Sequence, residues 1–299
     1  MSEISRAGFT AVIGAPNAGK STLVNALVGQ KVAIVSAKAQ TTRARLMGIA
    51  IEGETQILLV DTPGIFEPRR RLDRAMVAAA WTGAQDADLI LLVIDSAAGV
   101  TAEAERIVAA LGERRNPLIL ALNKIDVVKK EKLLALSADL TARLNPDKVF
   151  MISAAQGDGV PDLKQALAVA MPQGPWLYPE DEVSDATDRM IAAELTREQI
   201  VNQLHQELPY ATAVETETWE DREDGSTVIR QQVLVERDSQ KAIVIGKGGR
   251  RLKAIGAAAR EQIGQLLGRP VHLYLHVKVN PRWDEDRGLY REIGLEWAE

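Results

Sequence analysis

The feature that most constrains this chain is the octapeptide Gly14-Ala15-Pro16-Asn17-Ala18-Gly19-Lys20-Ser21, set between the apolar run Phe9 to Ile13 and the helical stretch Thr22 to Leu27. Strand, glycine loop and helix start in that order form an anion cradle. Gly14 and Gly19 bring bare amides close to a ligand, and the helix beginning near Lys20 points its positive end at the same place. The spacing is that of a phosphate-binding P-loop. The backbone from Gly14 to Thr22 then wraps nucleotide phosphates, Lys20 lies along the β- and γ-phosphates, and the Ser21 hydroxyl holds a magnesium ion that bridges them.

With 299 residues and 46% apolar content, the chain has room for one large globular domain or two ordinary ones. It has no Cys and three His, which excludes disulfides, thiol catalysis and a zinc cluster built from Cys and His. No apolar signal core precedes Phe9, and the apolar runs are too short to cross a bilayer. A cytoplasmic protein is expected, with peripheral contact at the inner face of the membrane left open. The net charge of -5 does not advertise a nucleic-acid binder, yet an average can hide a basic face.

Residues 10 to 170 alternate short apolar strands with helices, which indicates an α/β domain with a covered, mostly parallel sheet. Only Glu52-Gly53-Glu54 separates the second and third strands, so those two should pair as an antiparallel hairpin. The polar motifs follow strand ends, where ligands bind in such sheets. Asp61-Thr62-Pro63-Gly64 closes the run Ile57 to Val60. Asp61 can accept from magnesium-bound water, and the Gly64 amide can approach a γ-phosphate.

Asn123-Lys124-Ile125-Asp126 follows Leu118 to Leu122. The Asp126 carboxylate can accept from both N1–H and the exocyclic amine of guanine, a match adenine lacks. The Lys124 stem can cover the base, and Asn123 can tie this loop to the P-loop. Ser153-Ala154 ends the next strand, where the Ala154 amide can read guanine O6. Between the P-loop and the second strand, Gln40-Thr41-Thr42-Arg43 offers a second hydroxyl for magnesium. Either Thr can serve, and Thr42 is preferred.

Three prolines and a glycine in 171–179 mark a boundary, giving a nucleotide-binding domain over 1–171, a linker over 172–184 and a second domain over 185–299. Trp176 and Tyr178 are candidates to dock the linker onto one domain. The second domain reads as a long helix from Asp185 to Glu207, strands Ala211 to Glu220 and Thr227 to Glu236, a short and a longer helix, and a strand Val271 to Val279. Lys241 to Lys278 holds eight Lys or Arg and one acid. Within it, Gly246-Lys247-Gly248-Gly249 joins the two helices, as in a KH module that clamps single-stranded RNA backbone. A glycine-rich helix cap with a solvated basic face is the structural alternative.

Together, Gly-x-Pro-Asn-x-Gly-Lys-Ser at 14–21, Thr-Thr-Arg at 41–43, Asp-Thr-Pro-Gly at 61–64, Asn-Lys-x-Asp at 123–126 and Ser-Ala at 153–154 resemble the translation-factor class of GTPases. The nearest likeness is to the TrmE-Era-EngA-type family members that act in bacterial ribosome assembly and end in a type II KH domain. The resemblance covers nearly the whole chain. It implies a Ras-like P-loop GTPase domain with a six-stranded mixed, mostly parallel sheet, followed by an α+β KH domain, as a monomer.

It further implies GTP and GDP as ligands, magnesium held by Ser21, Thr42 and Asp61, and potassium beside Asn17. Ile65 stands where Ras-like GTPases carry a water-orienting Gln, so slow intrinsic turnover is expected. Lys247, Gly248, Arg250, Arg251 and Lys253 are implied to meet RNA backbone near the 3′ end of small-subunit ribosomal RNA in a 30S precursor, with Ile245 and Ile255 lining the base groove. A nucleotide-gated membrane-surface switch and a GTPase acting on another RNA are the alternatives.

Overall fold

The computed structural model describes residues 5–36, 38, 46–68, 70–204, 208–292 and 295–297. The chain divides into two compact units, one built from 1–33, 42–185 and 294–299, the other from 34–41 and 186–293.

In the first unit β1 (Arg6–Ile13) leads through the P-loop into α1 (Lys20–Val28), followed by β2 (Leu46–Glu52), β3 (Thr55–Asp61) and α2 (Arg71–Asp86). Then come β4 (Leu89–Asp95), α3 (Ala102–Leu111), β5 (Leu118–Asn123), α4 (Lys130–Leu144), β6 (Lys148–Met151) and α5 (Val160–Ala170). The six-stranded sheet has the order β2-β3-β1-β4-β5-β6. Only the β2–β3 hairpin is antiparallel, as the short Glu52-Gly53-Glu54 connection requires. Parallel neighbours need helical crossovers, and the helices bury both faces of the sheet. Ala11, Ile13, Leu92 and Leu120 pack with Ala80 of α2, Ile107 of α3 and Leu140 of α4 on one face. The other face is covered by α1 and α5.

The proline-rich segment is part of this unit rather than a tether. Ala7 N–H donates to Pro172 O, Trp176 Nε1 donates to Glu54 O, and Ile49 N–H donates to Val183 O, so the segment runs past β1 and covers the edge strand β2. Gln56, fully buried on β3, binds it from inside. Its Oε1 accepts from the amides of Leu177 and Tyr178, and its Nε2 donates to Tyr178 O at 2.9 Å. The chain end also clusters here: Leu295 is buried, and the Trp297 ring lies 4.7 Å from the Arg71 guanidinium at the start of α2.

The second unit runs α6 (Asp188–Gln203), β7 (Thr212–Asp221), β8 (Thr227–Val235), α7 (Asp238–Ile245), α8 (Arg250–Leu267), β9 (Val271–Val279) and the short α9 (Arg287–Glu292). Its three strands lie in the order β7-β8-β9, the first pair antiparallel and the second parallel. That is the α-β-β-α-α-β course of a type II KH fold. Thr187 caps α6 by accepting from Met190 N–H. This helix ends at Gln203 and not at the expected Glu207, with 205–207 outside the described residues.

Two cores support the sheet, one around Ile200, Val233, Val244, Ile255 and Val277, the other around Leu195, Ile229, Ile263 and Val271. Ile34, far away in sequence, belongs to the second of these. Its burial is why 34–41 groups with this unit instead of with the P-loop domain expected from sequence. Among the described residues no helix is long and apolar enough to cross a membrane.

Replacing Gln56 by Ala removes three hydrogen bonds to the part-buried backbone of 177–178 and should destabilise the first unit by about 1–3 kcal/mol. Urea unfolding of the variant measures that loss, and an unchanged midpoint would show that the segment is not held through Gln56.

Candidate functional site

The P-loop forms because its glycines take conformations and approaches a side chain forbids. Gly19 has φ of +94°, and a Cβ there would lie 2.2 Å from Asn123 Nδ2. Gly64 brings its backbone against Pro16, where a Cβ would sit 2.9 Å from Pro16 N. Asn17 is also left-handed, with φ of 62°, and its side chain is exposed at the loop tip.

Lys20 is buried, and its Nζ donates to Gly14 O at 3.2 Å and Ala15 O at 3.1 Å, so the loop wraps around its own ammonium. Ser21 Oγ donates to Asp61 Oδ2 at 2.8 Å, which brings two of the expected magnesium-binding groups together across α1 and β3. A hydroxyl paired with a buried carboxylate is a hard-oxygen donor set suited to magnesium. Thr62 Oγ1 donates to Val12 O at 2.8 Å and pins the strand end that carries Asp61. Thr41 and Thr42 lie outside the described residues. Ile65 is buried in the core of the sheet, so its side chain cannot orient a water.

Asn123 does more than the expected tie to the P-loop. Its Nδ2 donates to Ala18 O at 2.8 Å, while its Oδ1 accepts from Lys124 N–H at 2.8 Å and Ala154 N–H at 2.9 Å. The Ala154 amide, expected to read guanine O6, is thus directed at Asn123. Lys124 is left-handed, with φ of 66°, and its Nζ donates to Asn17 O at 2.7 Å and to Asp95 Oδ2 at 2.6 Å. Asp95 was not among the residues singled out from sequence. Its signal is the one that marked Asp61, a carboxylate ending an apolar strand. Asp126 follows on a short turn with its carboxylate exposed, and Ser153 is buried with its Oγ accepting from Gln156 N–H at 3.3 Å.

In the second unit Gly246, Gly248 and Gly249 have φ of +71°, +62° and +75°, and the loop they form heads the 18-residue α8. Lys247, Arg250 and Lys253 are exposed around it. Arg251 Nη1 donates to Ile243 O at 2.9 Å, which closes the end of α7 onto α8. Ile245 is half-buried against the core. Ile255, expected in the base groove, is wholly buried among Val233, Val244 and Val277, so it supports the cleft without facing it. Trp283 and Tyr290 are buried as well, with Tyr290 Oη donating to Asp284 O, and neither offers a stacking face.

The sheet order, the P-loop and the carboxylate of the Asn-Lys-x-Asp turn define a guanine-nucleotide-binding P-loop domain joined to a KH domain. Residues 9–124 match the family described as 50S ribosome-binding GTPase, and residues 207–284 match the KH domain. GTPase Era of Erythrobacter litoralis is 56% identical over 99% of both chains, and GTPase Era of Afipia carboxidovorans is 58% identical over 98% of this chain and 95% of its own. The chain belongs to the Era family of GTPases. A crystal structure of Era in complex with MgGDPNP and nucleotides 1506–1542 of 16S ribosomal RNA superposes with a TM-score of 0.91, at 36% identity over 99% of this chain and 100% of that one. Aquifex aeolicus Era carrying one substitution and bound to GDP·AlF4− gives 0.90 at 36% identity over 98% of this chain and 100% of that one.

Burial holds the Lys20 pKa down to about 8 from 10.5, with Asp61 pulling the other way. A phosphate beside it favours the ammonium, so nucleotide binding takes up a proton wherever the empty site has lost one. GDP affinity should therefore be flat below about pH 8 and fall as the pH rises above it. Calorimetry in buffers of different ionisation enthalpy tests this, and no proton uptake at about pH 9 would exclude a deprotonated Lys20.

Proposed function

We propose that this GTPase is a nucleotide-controlled RNA-binding protein whose KH domain holds the 3′ end of 16S ribosomal RNA during assembly of the 30S subunit. The observation that carries the reading is the pairing, in one chain, of the Lys20, Ser21 and Asp61 cluster with a loop of three left-handed glycines at the head of a basic helix. The bound RNA in the crystal structure of Era supports the choice of RNA.

On the nucleotide side, the backbone from Gly14 to Thr22 wraps the phosphates and donates from its N–H groups, Pro16 having none, the Gly64 amide joins them, and Lys20 neutralises charge along them. Ser21, Thr42 and Asp61 would hold magnesium, which would supply charge neutralisation at the phosphates. Asn17 is placed to help hold a monovalent cation. Asp126 selects guanine, covered by the Lys124 stem, with Ser153 and Ala154 closing the base site. Since Ile65 cannot hydrogen-bond a water, the nucleophile is held by backbone groups and turnover is slow.

On the RNA side, the glycine loop lets the sugar-phosphate backbone approach closely, and Lys247, Arg250, Arg251 and Lys253 meet it, which gives affinity and salt dependence. If GTP favours the RNA-binding arrangement, RNA favours GTP by the same factor. The chemistry places the protein in the cytoplasm, where GTP and assembling subunits meet.

Replacing Asp126 by Asn removes the double acceptor for N1–H and the amine, and should cut GDP affinity by roughly 10⁴ while leaving a xanthosine nucleotide bound. For the RNA reading, full-length protein is titrated with an oligonucleotide copying the 16S 3′ tail and with a scrambled one, each with GDP or a GTP analogue. Selective binding strengthened by the analogue, and lost in the Gly246→Asp, Gly249→Asp variant, is expected. Equal binding to both oligonucleotides would overturn it.

A further inference from the structure

The last turn of α6 borders an open cleft of about 350 Å³ lined by Gln203, Gly246, Lys247, Arg250, Arg251 and Ala254. Gln203 is the one lining residue that lies outside the glycine loop and α8. Its Nε2 donates to Gln199 Oε1 at 3.4 Å, and Gln199 Nε2 donates onward to Gln262 Oε1 at 3.0 Å. This amide relay runs in one direction and leaves Gln203 Oε1 to accept from a ligand. An amide oxygen beside two guanidiniums and a lysine suits a nucleotide whose phosphate meets the cations and whose base presents an amine. Adenine, cytosine and guanine each present one on their pairing edges, and uracil does not.

The same turn is held from the other end of the sequence. A helix leaves its last four carbonyls without partners and carries partial negative charge there. The Lys38 ammonium donates to the carbonyls of Val201 and Leu204, on either side of Gln203. Its segment is fixed at two further points, with Ile34 buried against Leu195 and Ile263 and with Val35 N–H donating to Glu198 Oε1 at 2.8 Å.

We propose that Gln203 contacts RNA beside the glycine loop, and that Lys38 is the positioning residue that holds the last turn of α6 for that contact. The inference rests on the RNA reading above. With Lys38 seated, the last turn of α6 is closed and Gln203 is held at the cleft. Without it, two carbonyls lose their donor, the turn frays, and the amide relay loses its end.

The test is a double-mutant cycle in the full-length protein, with Gln203→Ala, Lys38→Met and both together. Each is titrated with the 16S-tail oligonucleotide under GDP and under a GTP analogue. Far-UV circular dichroism and urea unfolding of each variant serve as the check on folding, since both residues lie in the second unit. Either substitution should weaken RNA binding roughly five- to tenfold. The pair should be no worse than one alone, since both act on one contact. Gln203→Ala should also lose preference for an amine-bearing base over uracil at one position.

Additive effects, or RNA affinity unchanged by Lys38→Met, would overturn the inference even where wild-type binding is tight and selective. Failure of the RNA reading itself looks different: binding that survives Gly246→Asp, Gly249→Asp.

Discussion

The Asn123 side chain is the interaction on which the nucleotide end of this protein depends. One amide donates to the P-loop carbonyl of Ala18 and accepts from the amides of Lys124 and Ala154, so three loops from three different strands share one fixing point. Its grip requires that Gly19 have no Cβ, because that atom would fall 2.2 Å from Nδ2. Glycine in this loop therefore serves two ends, open amides for an anion and room for a cross-brace. Lys124 adds a second brace to Asn17 and Asp95, which joins the base loop to the loop tip and to the end of β4.

Behind that end, the sheet supplies rigidity. β3 is buried along its whole length, and the strands on either side of it are mostly apolar. A buried carboxylate such as Asp61 is tolerated at its terminus because Ser21 donates to it and Lys20 lies near enough to feel its charge. The same proximity keeps Lys20 from losing its proton more readily than burial alone would dictate. Function at this site is thus a matter of charges held in a dry place in expectation of an anion.

The second unit uses the same devices at a helix start rather than a strand end. Three glycines of positive φ turn the chain tightly ahead of α8 with no side chains in the way, and the cations around them stand on α8 or in the loop itself. What holds the loop is local: Gly246 N–H donates to Ala242 O, Gly249 N–H donates to Gly246 O, and Arg251 reaches back to Ile243. Among the described residues no acidic one lines this cleft, so the chain's negative average conceals a locally basic surface.

The sequence by itself determined the P-loop, the strand-end Asp61, the Asn-Lys-x-Asp turn and the glycine loop before α8, because each is a short contiguous motif whose neighbours impose its backbone. It likewise determined the β2–β3 hairpin, since three residues cannot carry a parallel crossover. Only the tertiary structure decided that Ile255 is core and not groove, that the proline segment is stitched to Gln56 and β2, and that Asp95 answers Lys124. It alone decided that Ile34 belongs to the KH unit while Trp297 returns to α2. These pairings join residues tens to hundreds of positions apart. Periodicity along the chain reports which residues are apolar, and burial against a particular partner is settled only when the elements pack.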